Sequence, residues 1–123
     1  MKQSDQAVLI WSVLALAARM QRVLTYKELG GFTGIARFGL NKALGLIFSY
    51  CDQKHYPELN AIVVLERTGF PGGGYPKKHT PLDFLVERTR VFAFDWSSKA
   101  KPRSGDFGAA QPAPAGAAHA RRK

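Results

Sequence analysis

Apolar residues recur at helical spacing along the first half of the chain. Over residues 5–20, Leu9, Val13, Leu16 and Met20 form one line, and Ile10, Leu14 and Ala17 widen it into a broad buried face. Trp11 and Ser12 lie off its centre. This pattern predicts a core helix with Ser4 or Asp5 as its cap. A second, short helix begins at Thr25. There Thr25-Tyr26-Lys27-Glu28 has the form of a capping box, and the helix is expected to end at Gly30. A third helix is expected from Thr33 or Gly34 to Cys51 or Asp52. It carries Ala36, Leu40, Ala43, Leu44, Ile47, Tyr50 and Cys51 on one face, and Arg37, Asn41, Lys42, Ser49 and Asp52 mostly elsewhere.

The second half alternates between short apolar runs and turns. Ala61-Ile62-Val63-Val64-Leu65 reads as a strand, and Glu66-Arg67-Thr68-Gly69 as a turn. Pro71 and the three glycines Gly72, Gly73 and Gly74 suit a loop beside that strand. Thr80-Pro81-Leu82-Asp83 opens a fourth helix with a threonine cap, a proline at the first helical position and an acid at the third. The run 91–96 alternates in character. It fits either a final strand or an extension of that helix. From residue 97 onward Ala, Pro and Gly dominate and patterning stops, which predicts a disordered tail. The fold class is therefore α+β, with a domain over residues 1–96 and a basic disordered tail over 97–123.

Charge sharpens this picture. The formal net charge is +9, of which +4 falls in residues 1–96 and +5 in residues 97–123. A basic balance favours anionic partners, either nucleic acid or an acidic protein surface. The single cysteine, Cys51, excludes an internal disulfide and fits a reducing, cytoplasmic setting. No apolar run is long enough to span a membrane. Lys2 ahead of the apolar stretch 8–18 resembles the start of a secretory leader. Asp5, Arg19 and Arg22 argue against a cleavable one.

Two helices joined by a glycine-containing turn, followed by a strand and a glycine-rich loop, suit insertion into a DNA groove. Arg37 and Asn41 are four residues apart, so both can face the same base edges. Arginine bonds guanine in two places and asparagine does the same for adenine. Lys42 is placed for a phosphate. Tyr26 and Lys27, near the amino end of the second helix, are candidates for the sugar-phosphate strand. Arg67 is the expected wing residue, with Lys77 and Lys78 extending the basic loop.

The order of elements resembles a winged helix-turn-helix. It is similar in particular to the DNA-binding domain of the alkylguanine-DNA alkyltransferases and their alkyltransferase-like relatives. The resemblance runs through Val23-Leu24-Thr25-Tyr26-Lys27-Glu28-Leu29, then Ala36-Arg37 and Ala43-Leu44, then Val63-Val64 and Gly73-Gly74-Tyr75. It covers residues 8–88 in patches, and implies a short β-hairpin as the wing. Where that family has proline-cysteine-histidine-arginine, this chain has Leu59-Asn60-Ala61-Ile62. The resemblance thus implies a DNA-binding scaffold without alkyl transfer.

The expected activity is non-enzymatic binding of double-stranded DNA, in a regulatory role, with residues 33–52 in the major groove and the 66–78 loop as wing. The alternative is a protein-interaction module, adaptor or inhibitor, using the same basic surface. A domain this small would gain DNA affinity as a homodimer or through its tail. Other chemistry is thin. Cys51 and His55 have the spacing of a nucleophile and base on one helix, but Cys51 falls on the buried stripe, where thiols are inert. His55, His79 and His119 lack metal-ligand spacing. The loop at Gly72, Gly73 and Gly74 lacks the lysine and hydroxyl of a nucleotide-binding loop. No catalytic residue, metal or cofactor is assigned.

Overall fold

The structure, a computed structural model, describes residues 1–109. It is a small α+β domain, mostly helical, with one two-stranded sheet. Helix α1 spans Gln3–Arg19, strand β1 Leu24–Thr25, α2 Tyr26–Thr33 and α3 Arg37–Lys54. A 3-10 turn at Leu59–Ile62 leads into β2, Val63–Val64. Helix α4 is Pro81–Ala93, a second 3-10 turn is Trp96–Ser98, and α5 is Ser104–Ala109. No helix among the described residues is long and apolar enough to cross a membrane.

The core lies between α1 and α3. Ile10 and Leu14 of α1 and Leu40 and Ile47 of α3 are at most 1% exposed. An aromatic cluster closes one end. Trp11 meets Tyr50 and Trp96 edge-on, both at 5.5 Å between ring centroids, and Tyr50 lies 5.4 Å from Phe107. The Trp96 ring nitrogen donates to the Val91 carbonyl at 2.8 Å, so its burial leaves no polar group unpaired. Near the start of α3, a Cβ on Gly39 would meet the Ile35 side chain at 2.9 Å and Gln6 of α1 at 3.4 Å. The small residue lets the two helices approach.

Both capping boxes form as the sequence specifies. The Thr25 hydroxyl accepts from the Glu28 amide and the Glu28 carboxylate accepts from the Thr25 amide. Thr80 and Asp83 do the same for α4. Helix α2 continues past Gly30 to Thr33, because the Thr33 hydroxyl donates to the Leu29 carbonyl and accepts from the Ile35 amide. Gly34 then turns with φ +73°, a left-handed conformation that favours glycine. As a result α3 starts at Arg37, not at residue 33 or 34.

Several other expectations are corrected. The described residues contain no β-hairpin: β2 pairs instead with β1, in parallel, with Leu24 opposite Val63 and Thr25 opposite Val64. Parallel pairing needs a crossover, and α2 and α3 supply it. After β2 the chain makes only a tight turn, closed by bonds between Leu65 and Phe70 and between Gly69 and Leu65. Of the two readings open for the run 91–96, the helical one holds for its start: residues 91–93 end α4. Ser4 and Asp5 sit inside the first turn of α1, whose cap residue is Lys2. They hold α5 instead. The Ser104 hydroxyl donates to the Asp5 carboxylate at 2.7 Å and lies 2.9 Å from the Ser4 hydroxyl.

The domain therefore does not stop at residue 96. Phe107 is wholly buried, and Pro102 is buried beside it. Residues 110–123, with the rest of the expected tail and His119, lie outside the described residues. Replacing Phe107 by alanine is expected to cost about 3–5 kcal/mol in urea unfolding, as for other large core aromatics. A loss below about 0.5 kcal/mol, typical of surface changes, would show that α5 does not belong to the core.

Candidate functional site

Helix α3 presents two different sides. Its inner side is in the core, while Arg37, Asn41 and Lys42 are all exposed. Phe38 is 72% exposed beside them, an apolar side chain in a polar stripe. The Lys42 ammonium lies 5.0 Å from the Phe38 ring centroid. The one sequence signal for Phe38 is a phenylalanine set off the buried spacing of α3.

Tyr26 links α2, α3 and the glycine-rich loop. The Arg37 guanidinium lies 3.9 Å from its ring centroid, and its hydroxyl accepts from the Gly72 amide at 3.3 Å. Its ring face and hydroxyl are therefore both engaged. Tyr26 orients Arg37 and pins the loop. Between these elements lies a cavity of about 140 Å³, bordered by Tyr26, Arg37, Asn41, Asn60 and the loop at Gly72, Gly73 and Gly74. Asn60 is 3% exposed, and its side-chain oxygen is buried with no hydrogen-bond partner among the described residues.

The loop is fixed to the domain at two further places. Arg88 of α4 donates to the Gly69 carbonyl at 2.7 Å. Beyond Gly74 the loop wraps around the Glu58 carboxylate, which accepts from the Tyr75 hydroxyl, from Lys77 at 3.0 Å and faces His79 Nε2 at 3.1 Å. The Glu58 amide in turn donates to the Glu87 carboxylate at 2.7 Å, and Arg90 donates to Glu87 at 3.0 Å. Glu58 and Glu87 are 8% and 6% exposed. Glu58 did not stand out in the sequence, because the groups that surround it lie 17 to 21 residues further on.

Burial alone would raise the pKa of Glu58. The hydrogen bonds from Tyr75, Lys77 and His79 outweigh it and hold the carboxyl below its ordinary value of 4.5. Burial, and then the bond to Glu58, pushes the Tyr75 hydroxyl up, so it stays a proton donor. The bond to Glu58 also raises Lys77.

Comparison with known protein families, with characterised proteins and with solved structures finds no match. The assignment of roles therefore rests on the geometry. Of the residues expected to form the interface, Arg37, Asn41 and Tyr26 are brought together around one cavity. Lys27, Lys42, Arg67 and Lys78 are exposed, and none has an ion-pair partner among the described residues. Lys77 is different, being paired with Glu58. Cys51 is wholly buried, and burial pushes its thiol up to about 12, while His55 stands exposed at the left-handed cap of α3. Neither is arranged as half of a nucleophile–base pair.

A carboxyl whose folded pKa is lowered stabilises the fold above its unfolded value, and that stability is lost as pH falls through the folded value. Glu58→Gln is therefore expected to cost about 1–3 kcal/mol at neutral pH, the scale of lost bonds to a buried charge. The gap between the variant and the parent should narrow as the pH falls below 4.5. Urea unfolding at a series of pH values measures this. Parallel profiles for the two proteins would show that Glu58 is not the ionised anchor.

Proposed function

We propose that the protein binds double-stranded DNA without acting on it chemically, using α2, the Gly34 turn and α3 as a helix-turn-helix and the 66–78 loop as a wing. The observation that carries this reading is the exposed row of Arg37, Asn41 and Lys42 on a helix whose other side is locked into the core. In a major groove Arg37 and Asn41 address base edges, and Lys42 a phosphate. Phe38 offers an apolar contact to a thymine methyl group. Stacking of Arg37 on Tyr26 reduces the side-chain freedom that binding would otherwise have to remove.

The wing differs from the usual hairpin. It is a loop tied down by Tyr26, Arg88 and Glu58, carrying Arg67 and Lys78 outward. Since Lys77 is neutralised by Glu58, the charges available to phosphates are Lys27, Lys42, Arg67 and Lys78. The resemblance of Val23-Leu24-Thr25-Tyr26-Lys27-Glu28-Leu29 to the alkyltransferase DNA-binding domain suggests the same scaffold. Asn60 lies within the segment that replaces that family's cysteine motif, so the scaffold is read here as a binder alone.

Titration of a labelled duplex at several salt concentrations tests this. Affinity should fall steeply with salt, with a logarithmic slope of about −0.9 for each phosphate neutralised. Arg37→Ala should weaken binding by about 1–3 kcal/mol through lost base contacts, and Lys42→Ala should reduce the salt slope by about one. Binding that is weak at low salt, or unchanged in both variants, would refute the reading.

A further inference from the structure

A second surface lies away from α3. Leu16 of α1 and Met20 at its cap, expected on the buried face, are instead 55% and 59% exposed, because Ile10, Trp11 and Leu14 turn inward in their place, and Phe32 at the end of α2 is 62% exposed. They line an apolar hollow of about 270 Å³ between the two helices. Leu16 also borders a neighbouring hollow of about 300 Å³, whose floor includes Trp11 and Trp96 and whose rim carries Arg19, Lys99 and Lys101. Among the described residues, no acidic one lines either hollow, and no residue of α3 does. Arg19 and Lys101 have no ion-pair partner among the described residues. Arg22, at the edge of the apolar hollow, is already paired with Glu28 at 3.6 Å.

We infer that this trough docks an acidic amphipathic helix of a partner protein. An apolar groove between two helices suits the apolar stripe of a third, and the cations along one rim suit acidic residues flanking that stripe. Charge separates this occupant from the others. A second copy of the chain would bring Arg19, Lys99 and Lys101 against the same cations, in a protein of net charge +9. Duplex DNA would satisfy the cations but leave Leu16, Met20 and Phe32 without an apolar partner. Segment 97–109 brings two of the rim cations itself. The trough is independent of the α3 face, so the protein would hold DNA on one side and an acidic protein segment on the other.

The test uses the full chain and a short synthetic helix with leucine at every third or fourth position and glutamate between. Controls carry lysine in place of glutamate, or serine in place of leucine. The two tryptophans of the chain are Trp11 and Trp96, both at the trough, so intrinsic fluorescence reports occupancy. Saturable binding of the Glu/Leu helix is expected, at least about tenfold tighter than either control. Leu16→Asp and the double variant Lys99→Glu, Lys101→Glu should each weaken it about tenfold or more, while Arg37→Glu should leave it unchanged. Circular dichroism checks that the variants fold; should Leu16→Asp not fold, the lysine pair on the surface decides. Equal binding of the serine control, indifference to the rim variants, displacement of the peptide by duplex DNA, or a dimer that dissociates on Leu16→Asp would each overturn the inference.

Discussion

The two-sidedness of α3 governs this molecule. Eighteen residues must close the core on one side and stay wet on the other. The inner side is held by α1 along its length and by the Trp11, Tyr50, Trp96 and Phe107 cluster near its carboxyl end. With that side fixed, the helix cannot roll, and Arg37, Asn41 and Lys42 keep one direction. The amino end is set by a separate device. The Thr33 hydroxyl and the left-handed Gly34 end α2 and aim the chain into α3. Tyr26 then carries Arg37 across its ring.

A buried carboxylate organises the ground beside that helix. Glu58 cannot remain charged in a dry place without donors, and the loop after β2 supplies them. Tyr75, Lys77 and His79 converge on it, and Glu87 takes its backbone amide. This arrangement holds a glycine-rich segment that has almost no side chains with which to pack. It also uses up one of the basic residues that charge alone would assign to a ligand. The same segment, bonded to Tyr26 through Gly72, forms one wall of the cavity that Asn60 also lines.

What could be read from the chain was local. Both capping boxes act within four residues, and both form as written. The split of α3 into buried and exposed faces was also legible, because helical spacing encodes it directly. The rest depended on partners far away in sequence. Nothing near Val63 and Val64 announces that Leu24 and Thr25 are their neighbours in a parallel pair. Phe107 stands alone among Ala, Gly and Pro, so no periodicity marks it as core. Its burial is secured by residues about a hundred positions earlier, where Ser4 and Asp5 meet Ser104. Of the site, the exposed cations were legible and the carboxylate that disarms Lys77 was not.

The proposed function puts duplex DNA against the outward face of α3. The most direct measurement is nuclear magnetic resonance of the labelled protein as unlabelled duplex is added. The largest shifts are expected at Arg37, Phe38, Asn41 and Lys42, with smaller ones at Arg67 and Lys78 and little change at Leu16 and Met20. Shifts confined to α1, or absent from α3 at saturating DNA, would contradict it.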